Sequence, residues 1–314
     1  MVSSEIIRPG SRGRPTPAVP DTMARRFHAP YLSEPTSSLA TWTRNLAVFS
    51  VVAVLVSILI LRFDFLEMKP ALATFFGALG LAVLSILLGL AAFVAIWHNG
   101  SRGMSRVLLA FMIDAVVLAY PGYLALQNRK LPKIYDITTD PVDPPRFEAL
   151  APLRNGDGTN TAAYAGLYSW EQQRTFYPDI EPVQVELPPD RAYAVALKLV
   201  NRRKWFVVDE RAPQPPRREG RIEAVARTPI MGFREDISIR IKPDGDESRI
   251  DVRSASRYSA SPYFDSDLGS NAARVNKLLE DLSNATEAEA QKPVKKVTPP
   301  PVAKGNANAK TVKK

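Results

Sequence analysis

The sequence predicts a three-helix transmembrane anchor plus an α+β soluble domain, an antiparallel sheet of about four strands with helices packed on one face. Three observations predict it. Apolar residues concentrate in three long runs between Leu46 and Leu126. Side-chain character then alternates with a period of two over several short segments of the C-terminal half. Helix-start signals stand at Pro188-Pro189-Asp190 and at Asp267. On this reading the 314 residues divide into a disordered basic leader (1–41), three transmembrane helices (42–126), a soluble domain (131–283) and a disordered lysine-rich tail (284–314).

The first span runs from Trp42 to Leu61, and the second, from Ala71 to Trp97, contains no charged residue. At about 1.5 Å per residue the second is near 40 Å long, enough to cross a ~30 Å hydrocarbon core even when tilted. The third, Val107 to Leu126, carries Asp114 and Pro121. A buried carboxylate in lipid costs at least ~2.5 kcal/mol, so Asp114 is either a functional acid or polar glue facing another span. Pro121 removes a helix hydrogen bond and is expected to kink the span near its outer end.

Basic residues in the short flanks orient the anchor. Arg8, Arg12, Arg14, Arg25, Arg26, Arg44, Arg102 and Arg106 lie on one side, against Arg62, Lys69, Arg129, Lys130 and Lys133 on the other. The bias predicts a cell inner-membrane, multi-pass protein with its N-terminus cytoplasmic and its C-terminal domain periplasmic. The leader holds six prolines and ends far from any cleavage site, and Met23 offers a second translation start beside Met1.

In the soluble part, Tyr164 to Gln173 reads as a short helix ended by Tyr177-Pro178, and Arg191 to Arg203 as a longer one. Lys204–Asp209, Arg221–Arg227, Phe233–Ile241 and Arg249–Arg257 read as strands, the last two joined by the hairpin turn Pro243-Asp244-Gly245-Asp246. A final helix runs from Asp267 to about Leu282. The tail beyond it has seven lysines against Glu287 and Glu289.

Composition narrows the chemistry. There is no cysteine, and His28 and His98 both lie outside the soluble domain. Disulfides, thiolate catalysis and imidazole metal ligands are therefore excluded there. No Walker loop, dinucleotide glycine pattern or nucleophile elbow occurs, and no cofactor is implied. The net charge of +9 is concentrated in the lysine tail. It points to membrane lipids, anionic headgroups or cell-wall polymers and unknown envelope proteins as partners, and not to nucleic acid.

Several motifs run through this part of the chain: Asp136-Ile-Thr-Thr-Asp140, Asp143-Pro-Pro-Arg-Phe147, and Arg227-Thr-Pro-Ile-Met-Gly-Phe233 with Glu235-Asp236. Asp251-Val-Arg-Ser-Ala-Ser-Arg257 and Asp267-Leu-Gly269 with Asn271 and Arg274 follow. With these motifs, residues 131–282 and the three spans before them resemble the uncharacterised family called domain of unknown function fourteen-ninety-nine. The resemblance implies membrane association and an envelope context, and it supplies no activity or catalytic residue.

The densest polar group lies on the hairpin face that alternation turns away from Ile237, Ile239, Ile250 and Val252. With Ile239 opposite Val252, Arg240 falls opposite Asp251 and Arg253 opposite Ser238. One reading is an anion site gripped by Arg253, Arg257 and Arg240, supported by Gly232, Phe233, Asp236, Asp267 and Asn271. The other is a set of cross-strand ion pairs with Asp267 capping the last helix. The expectation is a non-catalytic envelope protein whose soluble domain binds an anionic ligand, lipid headgroup or partner protein. The alternative is a metal-assisted hydrolase or transferase using Asp136, Asp140 and Asp143.

Overall fold

A computed structural model of the chain describes residues 36–156, 158–215, 218–259 and 266–292. Three helices are long and apolar enough to cross a membrane: α1 (Ser38–Arg62), α2 (Met68–Asn99) and α3 (Met104–Asn128). Each exceeds the apolar run that predicts it, because polar end residues stay helical. The Ser37 hydroxyl, for instance, accepts the Ala40 amide at 3.3 Å and starts α1 inside the expected leader. Pro121 is carried inside α3, which continues to Asn128. Trp42 and Trp97 are exposed at the end formed by the start of α1 and the end of α2, a placement that suits an indole at a headgroup layer.

The soluble domain is α+β, and its sheet has six strands, not about four. These are β1 (Asp136–Thr138), β2 (Val183–Val185), β3 (Phe206–Arg211), β4 (Gly220–Arg227), β5 (Arg234–Asp244) and β6 (Glu247–Ser256). The order is β1-β6-β5-β4-β3, all antiparallel, and β2 shares the free edge of β6 with β1. The two additional strands have three residues each, too short for alternation to show. The β5–β6 register pairs Ile239 with Val252, Arg240 with Asp251 and Ser238 with Arg253, as the hairpin pattern requires.

After a short helix α4 (Leu167–Phe176), helices α5 (Pro189–Arg202) and α6 (Ser270–Ala290) cover one face. They bury Ala196, Leu199, Val275 and Leu278 against Ile222, Ile237, Ile239, Ile250 and Val252 in the main core. Apolar spacing in the sequence stops at Leu282, yet α6 continues through Ala290. Its last turns are rich in Ala and Glu, good helix formers, and Arg191 of α5 donates to the Glu289 carbonyl at 2.6 Å. The expected tail boundary at 284 therefore moves outward. Most of the expected leader and tail, with Met1 and Met23, lies outside the described residues.

The sheet is seated on the bundle end opposite the two tryptophans. The loop between β4 and β5, residues 228–233, places Met231 and Phe233 against Leu61, Leu72 and Phe75 of α1 and α2. Arg62 donates to the Pro229 carbonyl at 2.6 Å, while Arg227 and Arg234 reach Asp64 at 3.0 and 2.7 Å. The Ser266 hydroxyl and Asn128, at the end of α3, meet at 3.0 Å.

Candidate functional site

The face of the sheet away from α5 and α6 carries the polar residues, and it does not face water. A strap of irregular chain from Asp140 to Tyr164, with a 3-10 turn at Ala151–Arg154, lies across it. Phe147 and Leu150 pack on Ala255, the one small apolar residue in that row. The Glu223 carboxylate of β4 accepts the Glu148 and Leu150 amides at 2.8 and 2.9 Å, so a fully buried acid fixes the strap's turn. Ser238 donates to the Arg146 carbonyl at 3.1 Å.

Beneath the strap the charges sort into groups. Arg253 forks onto Asp136 with Nε–Oδ1 at 3.0 Å and Nη2–Oδ2 at 2.6 Å, and also donates to the Pro145 and Ala162 carbonyls. Asp236 is held from two sides, by Arg257 at 2.5 Å and by Arg154 at 2.8 Å. The Phe147 ring lies between two of these cations, 4.4 Å from the Arg253 guanidinium carbon and 4.8 Å from that of Arg154. The side chains of Arg154, Arg253 and Arg257 are 1%, 2% and 5% exposed. Burial pushes the Arg154 guanidinium down from its ordinary value, against the pull of Asp236.

The predicted anion grip is therefore corrected in its detail. Arg253 and Arg257 do share a face, but their forks are spent on Asp136 and Asp236. Arg240 likewise donates to Asp251 at 2.8 Å, to Asp140 at 3.3 Å and to Asp143 at 3.0 Å. The three aspartates of the metal alternative are thereby drawn apart. Asp136 goes to Arg253, and Asp140 is shared by Arg240 and Arg249 while its Oδ1 accepts the Val142 and Asp143 amides. Asp143 bonds Lys242 at 2.9 Å, a contact that holds its carboxyl below the usual range. Among the described residues no group of three or more acids or imidazoles is placed to hold a metal.

The other named residues separate by role. Asp267 caps α6, accepting the Gly269 and Asn271 amides at 2.9 and 2.7 Å; burial raises its carboxyl above the ordinary value. Asn271 ties α6 to the sheet through the Tyr135 carbonyl and the Ser254 and Ser256 hydroxyls. Gly232 and Phe233 are not at the polar face but in the loop that meets the membrane helices. Asp114 is fully buried beside Ser85 of α2, whose hydroxyl donates to the Thr43 carbonyl at 3.2 Å. It faces the other spans, not lipid.

What stays open is a cavity of about 420 Å³ above Arg154, lined by Glu148, Ala151, Pro152, Arg154, Asn155, Thr161 and Ala162. Arg154, Arg253 and Arg257 face two buried carboxylates, Asp136 and Asp236, and Arg154 spends its other nitrogens on the Thr161 and Ala255 carbonyls at 3.2 and 2.9 Å. The neighbouring group is even: Arg240, Arg249 and Lys242 against Asp140, Asp143 and Asp251. Arg211 and Arg221 face three carboxylates, those of Glu148 on the cavity wall, Asp209 and the buried Glu223. Tyr164 lies beneath the strap with its ring 5.7 Å from Arg253, and its buried hydroxyl has no described partner. Burial, then Asp136, raises that phenol above its ordinary value.

The strap, the paired arginines, the loop seated on α1 and α2 and the capped last helix take up the motifs quoted from the sequence between Asp136 and Arg274. The model of the family described as "Protein of unknown function (DUF1499)" matches residues 136–282. This segment is similar to the DUF1499 family. The match begins after the three spans, so the likeness expected for them is not part of it. Among curated proteins no match to the chain is found. Among solved structures, the protein TTHA0849 from Thermus thermophilus is similar over 35% of this chain and 96% of its own, at 14% identity and a TM-score of 0.19. A score that low carries no argument.

Within this segment, Arg154, Tyr164 and Glu223 are the site residues that the sequence reading missed. Glu223 could have been found as the one acid on β4, in the alternating run from Arg221 to Arg227. Arg154 stands in an irregular stretch with no period, and nothing local marks it.

Proposed function

We propose that this is a non-catalytic, three-span protein of a bacterial inner membrane whose periplasmic α+β domain binds an anionic group in the cavity over Arg154. The observation that supports the reading is an open cavity lying directly over the nearly buried Arg154, beside Arg253 and Arg257. A cation held in low dielectric attracts an anion far more strongly than one at the surface. Asn155 and Thr161, both exposed at the wall, offer an amide and a hydroxyl as hydrogen-bond donors.

The non-catalytic part rests on how the acids are used. Asp136, Asp140, Asp143, Asp236 and Asp251 each accept from arginine, so none is poised as a general base. The orientation rests on the basic residues that flank the spans.

The test uses the full-length protein in detergent micelles, titrated with inorganic phosphate by calorimetry. Wild type should bind, while Ala151→Phe, which fills the cavity without touching the ion pairs, should not. Equal binding by both would sink the reading. Protease added to spheroplasts should digest the domain and spare an N-terminal tag.

A further inference from the structure

The seam between the sheet and the membrane helices holds more positive charge than its carboxylate matches. Arg227 ends β4 and Arg234 begins β5, and the two stand directly opposite each other in the sheet register. Like charges so placed repel. Both donate to one oxygen, Asp64 Oδ2, at 3.0 and 2.7 Å. Among the described residues Asp64 is the one carboxylate that pairs with either. Asp236, next on that face of β5, is already held by Arg154 and Arg257. Glu67, the other acid of the α1–α2 turn, is exposed and pairs with neither arginine.

Unlike the arginines under the strap, these two keep donors to spare and stay in reach of solvent. Among the described residues Arg234 bonds through Nη2 alone, and Arg227 through its two Nη atoms, one of them on the Arg62 carbonyl at 3.1 Å. Their side chains are 29% and 46% exposed. Arg62, also exposed, borders them and bonds the Pro229 and Ile230 carbonyls through Nη1. A guanidinium offers its N–H groups in a planar fork that matches phosphate.

The seam lies at the edge of the apolar region. Arg62 closes α1 and the uncharged run of α2 starts at Pro70, so residues 62–69 turn at the level of the headgroups. Phe63, Phe65 and Leu66 on that turn, and Ile230 on the loop beside it, are exposed, with the Phe63 and Phe65 rings 6.0 Å apart. Such side chains are unfavourable in water and favourable where headgroups meet acyl chains. Apolar side chains beside a cationic seam match the two parts of a phospholipid.

We propose that Arg227 and Arg234, with Arg62 at their side, bind the phosphate of an anionic phospholipid at the seam between the domain and its anchor. The lipid shares the two guanidinium groups with Asp64 and rests its chains against Phe63 and Phe65. A zwitterionic headgroup carries its own cation, so the excess positive charge selects an anionic one. Arg62 and Asp64 belong to the anchor and the other two arginines to the domain, so the bound headgroup bridges both. The site is separate from the cavity over Arg154.

The experiment places the full-length protein in nanodiscs of phosphatidylcholine with one-fifth phosphatidylglycerol and weighs the retained lipids by native mass spectrometry. The retained ratio of phosphatidylglycerol to phosphatidylcholine should exceed that of the bilayer about fivefold, the factor that one guanidinium contributes at a membrane surface. Arg234→Gln should remove most of this enrichment, whereas Asp64→Asn, which frees both arginines, should raise it. Both variants break the same ion pair, so a loosened domain would move them in the same direction. Ala151→Phe, in the cavity, and Lys130→Gln, exposed beyond the end of α3, should leave the ratio unchanged. No enrichment in wild type would overturn the proposal. So would enrichment that Asp64→Asn fails to raise, or that Lys130→Gln lowers as much as Arg234→Gln, because a diffuse field would then hold the lipid. Loss in Ala151→Phe would move the lipid to the cavity and overturn it as well.

Discussion

Replacing Gly232 with valine should detach the α+β domain from its membrane anchor while leaving the sheet folded. Gly232 adopts φ +75° in the β4–β5 loop, and a Cβ there would lie 3.1 Å from Cα and 3.3 Å from the carbonyl oxygen of Arg62. The left-handed conformation alone costs a branched residue about 1–2 kcal/mol. The obstacle is backbone near the end of α1, which cannot rotate away, so the loop itself must lift. Lifting it exposes Met231 and Phe233, each half-buried on α1 and α2. At half of the ~1.5–3 kcal/mol for a fully buried side chain, the pair contributes roughly 1.5–3 kcal/mol. The Arg227 and Arg234 bonds to Asp64 are partly exposed and add only about 1 kcal/mol together. Strain and contact loss are thus comparable, and the docked arrangement should give way.

The absence of native cysteine makes the assay direct. Asp64→Cys with Arg234→Cys replaces a 2.7 Å ion pair whose two side chains together span more than a disulfide can, so a short bifunctional thiol reagent should cross-link the pair readily in the native background and poorly with Gly232→Val. Gly245→Val is the control. It has φ +64°, the same handedness, but nothing lies within 4 Å of its Cβ position. That variant should cost turn strain and leave the cross-link intact. An undiminished cross-link in Gly232→Val, or an equal loss in Gly245→Val, would refute the reasoning.

Two further outcomes follow from the buried charges. Arg253→Gln leaves Asp136 without its fork in a dry site and should destabilise the full-length protein by about 3–5 kcal/mol, read as a large fall in denaturant midpoint, whereas Lys242→Gln, at an exposed pair, should change it by less than about 1 kcal/mol. Glu235 is fully buried, and burial, opposed by Arg274 and the Ser256 hydroxyl, raises its carboxyl to about 7. The folded state then holds a proton that the unfolded state has released, so stability is greatest below about pH 4.5 for this group and falls as pH rises through 7. The fall is on the order of 3 kcal/mol, and thermal unfolding between pH 5 and 8 should show Glu235→Gln losing less stability over that interval than wild type.

The Arg253 and Arg257 pair shows where sequence reasoning stops. Alternation along β5 and β6 placed both on one face and set the register to the residue, because strand period and hairpin turn are local properties. Which anion they meet is not local. Asp136 is 117 positions from Arg253, and Arg154 reaches Asp236 across 82. The strap that delivers Phe147 and Arg154 has no regular period from which its path could be read. Asp267 was legible as a cap because capping acts within one turn.

By itself the sequence determined the three apolar helices, the α+β class, the polar and apolar faces of the hairpin and the motifs that carry the DUF1499 likeness. Each follows from periodicity, helix length or turn chemistry within about ten residues. The tertiary structure alone decided that the polar face is roofed by a strap, that its arginines are spent on aspartates, and that a cavity is left over Arg154. It alone decided that the loop around Gly232 is seated on the membrane helices. Those outcomes depend on which distant segments are brought together, and burial then converts modest surface charges into strongly coupled ones.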